Sequence, residues 1–213
     1  PAMAIFRGIT AEEEAASGVM RCLIEMGYPG SEALKPHDHA HKHAVFPFMQ
    51  VLHLFFGQTL VNHFTKYNLH IKEEDGATRL TLALNVNING QEQLMYPIPP
   101  FNFGVKNPDT GEVPDYSIQI NQLVVAKGKA TVKDFLKKEA NLRNEILYAD
   151  PKGYPTIPAL DIGFLVERRT RVLAMIYLYL LVFPYKEQQP FVAQALASFV
   201  KMLQQLKRSR SAA

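Results

Sequence analysis

Thr78-Arg79-Leu80-Thr81-Leu82-Ala83-Leu84-Asn85-Val86-Asn87-Ile88 is the stretch on which the fold class turns. Leu80, Leu82, Leu84, Val86 and Ile88 alternate with Arg79, Thr81, Ala83, Asn85 and Asn87. A period of two is the mark of a strand with one buried face. Asn89-Gly90 follows as a two-residue hairpin turn, and Gln91 to Ile98 reads as the returning strand. Pro97, Pro99 and Pro100 end that strand and place it near a sheet edge. Phe101 to Val105 and Tyr116 to Val125 read as two further strands, joined by the turn-rich Asn107-Pro108-Asp109-Thr110-Gly111. The expected antiparallel meander occupies 70–126.

On both sides of it the apolar residues recur at helical spacing. Thr10 with Glu13 forms a capping box, and Ala15, Ala16, Val19, Met20, Leu23 and Ile24 continue to Gly27-Tyr28-Pro29-Gly30, predicting a helix over 11–26. A second begins near Pro36 and runs through Val45, Phe48, Met49, Leu52, Phe56 and Leu60 to about Tyr67, kinked at Pro47. Helical spacing resumes at Thr131, a good N-cap, and runs to about Tyr148. Two more helices are expected at 159–183 and 190–207. The fold class is therefore α+β and mainly α: about five helices in a bundle, with 11–67 N-terminal, 131–207 C-terminal and the meander inserted between them. A single domain over 1–213 suits this length.

Composition narrows the function classes. With 23 basic and 20 acidic residues, the formal charge is only +3, which permits nucleic acid without demanding it. One cysteine, Cys22, excludes an internal disulfide framework and suits a reducing, cytoplasmic setting. No basic stretch followed by an apolar core opens the chain, so no secretory leader is expected. The longest apolar run, Val172 to Phe183, is well short of the ~20 residues of a membrane helix and predicts a core helix.

In the helix over 131–148, at ~100° per residue, Val132, Phe135, Leu136, Leu142, Ile146 and Leu147 form one stripe. Glu139 and Arg143 project within about 20° of its centre, four residues apart with the acid first. Burying a pair of charges costs several kcal/mol, so packing alone is a poor reason for it. A wet seam explains it simply; a cleft or dimer seam in which Arg143 meets an anion such as phosphate explains it functionally. Lys133 and Lys137 near the helix entry could follow a phosphate backbone, although a solvated basic face is the commoner arrangement.

The same helix continues as Arg143-Asn144-Glu145-Ile146-Leu147-Tyr148-Ala149, a string that resembles the RNxxxH signature of HEPN domains. That resemblance implies a helical bundle of the kind found in bacterial toxin–antitoxin and phage-defence systems, a homodimer, and metal-independent RNA cleavage at the dimer seam. It would make Arg143 the family's arginine and Asn144 its asparagine, with Glu139 beside them. Tyr148 stands where the family has histidine. A phenol with an ordinary pKa of ~10 is a poor base near neutrality, so the resemblance implies RNA binding more directly than cleavage. A non-catalytic dimerising module is the alternative from another class.

All seven histidines lie between His37 and His70, four of them in His37-Asp38-His39-Ala40-His41-Lys42-His43. On a helix, His37/His41 and His39/His43 are two i,i+4 pairs facing different sides, and either could chelate a divalent ion. His37, His41 and His63 fall toward the apolar side and are the expected ligands of a metal-dependent site. Capping and packing are the ordinary roles for such residues.

Overall fold

The computed structural model describes residues 2–59, 64–74, 76–107, 110–114, 116–126, 128, 134 and 162–211. The architecture is mainly helical α+β: α1 (Ala2–Glu25), a 3-10 turn (Ser31–Ala33), α2 (His39–Thr59), β1 (Phe64–Glu74), β2 (Ala77–Ile88), β3 (Gln91–Met95), α3 (Ser117–Ala126), α4 (Ile162–Val182) and α5 (Pro190–Ser211). The strands form one antiparallel sheet in the order β1-β2-β3. Among the described residues no helix is long and apolar enough to cross a membrane.

The first helix starts at Ala2 rather than at the expected capping box. Ala2 to Ile9 already supply helical residues, so Thr10 sits inside the helix, and its hydroxyl has no hydrogen-bond partner among the described residues. The second helix starts at His39, not near Pro36, because Asp38 caps it. Asp38 Oδ1 accepts the backbone N–H groups of Ala40 at 2.8 Å and His41 at 3.3 Å. Pro47 lies within this helix and, lacking an N–H, leaves the carbonyl of His43 without its i+4 partner.

The meander is shifted toward the N-terminus of its expected span. Phe64 to Tyr67, expected as the end of the second helix, open β1, whose Tyr67 and Leu69 pair with Leu84 and Leu82. The β2–β3 turn is the expected one: Asn89 and Gly90 have φ of 53° and 82°, as a two-residue turn of this hand requires. In β2 Thr81 and Ala83 are buried along with Leu82 and Leu84, so the centre of the strand is covered on both faces rather than one.

Phe101 to Val105 and Tyr116 to Val125 are not strands. The first is an extended segment pinned to α5 and the residue before it: the N–H groups of Phe101 and Val105 donate to the side-chain carbonyls of Gln189 at 2.7 Å and Gln194 at 2.9 Å. Those amides satisfy the backbone groups that a neighbouring strand would otherwise have taken. The second is mostly α3, in which Ile120 and Leu123 turn toward the core beside Tyr116, the residue just before the helix. The two C-terminal helices lie close to their expected spans, with Pro190 at the first position of α5, where its missing N–H costs nothing. The stretch 131–148 lies outside the described residues apart from Asp134, which is helical.

The core joins α1, α2, α3, α4 and α5 through an aromatic cluster. Phe55 meets Tyr116 edge-on at 4.9 Å between ring centroids, and Phe103 stacks on Phe191 at 5.1 Å. Gln189, fully buried, ties the cluster to the loops: its N–H donates to the Tyr28 hydroxyl at 2.9 Å and its Nε2 donates to the carbonyl of Leu181 at 2.9 Å.

Candidate functional site

Three consecutive glutamates on α1 reach three different sets of partners, because successive side chains turn by ~100° around a helix. Glu12 faces α4. Its Oε2 accepts a bond from Arg168 Nη1 at 2.5 Å and its Oε1 one from Arg171 Nη1 at 3.2 Å, with all three side chains buried. Arg171 also donates from Nη2 to the half-exposed Glu167 at 2.6 Å. The Arg168 guanidinium lies 4.8 Å from the centre of the Phe164 ring, and that of Arg171 lies 5.1 Å from Phe46.

Glu13 faces the first turn of α2. Its Oε1 lies 2.9 Å from His39 Nδ1 and 3.1 Å from His43 Nε2. Burial alone would raise the pKa of this carboxyl, but hydrogen bonds from His43 and His39 and their charges outweigh it and hold the group near about 2. The carboxylate is therefore ionised, and the nitrogen of each ring that faces it must carry a proton. His43 and Glu13 are buried, whereas the side chain of His39 is 48% exposed, so the group opens to solvent on one side. Ser17 Oγ lies 3.0 Å from the carbonyl oxygen of Glu13 and 3.1 Å from that of Pro36, tying this turn of α1 to the chain entering α2. Glu14, itself exposed, makes a loose pair at 3.6 Å with Lys42, whose side chain is largely covered.

Beyond these charges, α1, α2, α4, α5 and the sheet line a cavity of about 640 Å³ that is open to solvent. Its walls are apolar: Met20 from α1, Phe48 and Leu52 from α2, Leu84 from the sheet, Leu178 from α4 and Leu196 from α5. Few polar side chains reach it. Cys22 lies in its wall, and burial pushes that thiol up to about 11. His53 and Tyr67 stand exposed on the lining, with the hydroxyl and ring Nδ1 3.3 Å apart.

The residues expected from sequence fare unequally. Glu139, Arg143, Asn144, Tyr148, Lys133, Lys137 and His63 lie outside the described residues. His37 and His41 do not act as a pair. His37 precedes α2 and is exposed, with Nε2 3.5 Å from Arg21 Nη2. His41 is buried and its Nδ1 accepts the Lys35 N–H at 3.2 Å. The helix starts two residues later than His37, so the pair it holds on one face is His39/His43, and the carboxylate joining them comes from α1. Asp38 was the available signal: as N-cap it puts His39 at the first helical position. The Glu12–Arg168–Arg171 group went unread because its members are 156 and 159 residues apart, with no local pattern linking them.

Comparison of the chain with family models, with curated proteins and with solved structures returned no match.

Proposed function

We propose that this protein binds a single-chain amphiphile, with an unbranched apolar tail in the interior cavity and a hydrogen-bonding or anionic head at its rim. The cavity carries the reading. Its volume of about 640 Å³ lies within the ~300–1,000 Å³ of small-molecule sites, and its walls would match a tail rather than a nucleotide or a sugar. The cavity is open to solvent, and its apolar walls favour an apolar occupant over water. His53 and Tyr67 would hold the head.

The test is displacement of an environment-sensitive apolar fluorophore by straight-chain carboxylates of increasing length. Affinity should rise with each added methylene until the cavity is full. Ala195→Trp, which fills the cavity from α5, should abolish binding while leaving the fold intact by circular dichroism. No displacement at any chain length, or unchanged binding by the tryptophan variant, refutes the proposal.

The RNEILYA string favours a second reading, a HEPN-like RNA-binding protein acting as a dimer. There Arg143 would neutralise a phosphate and Asn144 would position it, with Tyr148 or a nearby histidine moving the proton if cleavage occurs. Incubating RNA with the wild type and with Arg143→Ala decides this reading: loss of binding or cleavage in the variant supports it, and equal behaviour or no binding by either defeats it.

A further inference from the structure

We infer that Glu13, His39 and His43 form a binding site for a divalent transition-metal ion. The three candidate ligand atoms lie within 4.8 Å of one another. Bonds of ~2.0–2.2 Å to imidazole nitrogen and carboxylate oxygen put ligand atoms roughly 3.4 Å apart in a tetrahedral shell. Glu13 Oε1 is already 2.9 Å from His39 Nδ1 and 3.1 Å from His43 Nε2, so opening these two gaps by a few tenths of an ångström, with the two ring nitrogens, within 4.8 Å of each other, settling toward the same spacing, makes room for an ion. The ion would take the place now held by two N–H protons. Each neutral ring would then carry its proton on the nitrogen facing away, and a charged ring would lose one proton to solvent.

The positions of these residues are held before any ion arrives. Asp38 caps α2 and fixes the turn that places His39 and His43 on one face. Ser17 fixes the Glu13 turn of α1 against the approach to α2. Two imidazoles and one carboxylate suit zinc, cobalt, nickel or iron(II) better than magnesium or calcium, which prefer oxygen throughout. Three protein ligands leave at least one coordination position, and the exposure of His39 directs it to solvent. That is the pattern of a site open to water or to a small ligand rather than of a closed structural one.

The experiment uses the full chain without a purification tag, titrated with cobalt(II) and zinc(II). One ion per chain is expected, with the intense visible absorption of four-coordinate cobalt. His39→Ala, at a position exposed enough to leave the fold unchanged, should weaken binding at least ~10-fold, and His37→Ala should leave it unaltered. Four outcomes each overturn the inference: no uptake at millimolar metal, a weak six-coordinate cobalt spectrum in the wild type, equal affinity in His39→Ala, or an equal loss in His37→Ala. The spectrum of the wild type reports independently of whether any variant folds.

Discussion

Replacing Glu12 by glutamine keeps the shape of the side chain and removes a carboxylate that two buried arginines share. Removing one partner of a buried ion pair costs about 3–5 kcal/mol, because the remaining charge stays desolvated. Arg171 retains Glu167 at 2.6 Å and Arg168 retains the Phe164 ring, which places the expectation near the lower end, about 3 kcal/mol. With an m-value of ~2 kcal/mol/M, the urea midpoint should fall by roughly 1.5 M. The chain has no tryptophan, so far-UV circular dichroism is the natural probe. The triple variant Glu12→Leu, Arg168→Met, Arg171→Met removes the three buried charges together, leaves the half-exposed Glu167 to solvent, and should recover to within ~1 kcal/mol of the wild type. A glutamine variant losing less than ~1 kcal/mol would put the group in the range of exposed pairs and refute its burial. A triple variant no more stable than the single one would show that the arginines do more than neutralise Glu12.

Three further outcomes are open to direct measurement. Gln189→Leu strands the Phe101 N–H and the Leu181 carbonyl and should cost about 2–5 kcal/mol in denaturant unfolding. Tyr116→Phe should be neutral or stabilising by up to ~1–2 kcal/mol, since the buried hydroxyl has no hydrogen-bond partner among the described residues and burial alone raises its pKa to about 12. Cys22, raised by burial from 9.0 to about 11, should alkylate at pH 8 at least ~100-fold more slowly in the native than in the unfolded protein, its native rate rising with pH up to about 11. By linkage, the stability associated with the protonated thiol is complete below the unfolded value of 9.0 and is lost as pH rises through about 11.

What could be read from the sequence divides along physical lines. Asn89-Gly90 declared its hairpin because the turn needs two positive φ angles and few residue pairs accept them. Pro190 declared the start of α5 for an equally local reason. Tyr67, Leu69 and Ile71 carried the period of β1 in plain view, but Leu60, Phe64 and Tyr67 also fit a helical face, and the longer preceding pattern absorbed them. Tyr116 to Val125 posed the converse problem, a short apolar run that satisfies either period until the packing of Leu123 decides it. The charged groups were harder still. Glu12 finds its arginines and Glu13 its histidines only once α1, α2 and α4 are side by side, and no local spacing encodes that arrangement.

Those charged contacts also bear on the cavity. Along α1, Glu12 and Glu13 project toward different helices, so together they fix the rotation of α1 about its own axis more narrowly than either would alone. A turn of ~100°, the equivalent of one residue, that brought Glu12 to the histidines of α2 would bring Ala11 to the arginines of α4 and leave them without a carboxylate. Val19, Met20 and Leu23, one to three turns further along the same rigid helix, inherit that rotation and are thereby held facing the cavity. Such polar groups are poor sources of stability compared with well-packed apolar ones, but they are selective about geometry. The triple variant that restores stability without charge therefore separates the two roles. If the buried charges set the rotation of α1, that protein will regain its urea midpoint while binding straight-chain carboxylates more weakly than the wild type.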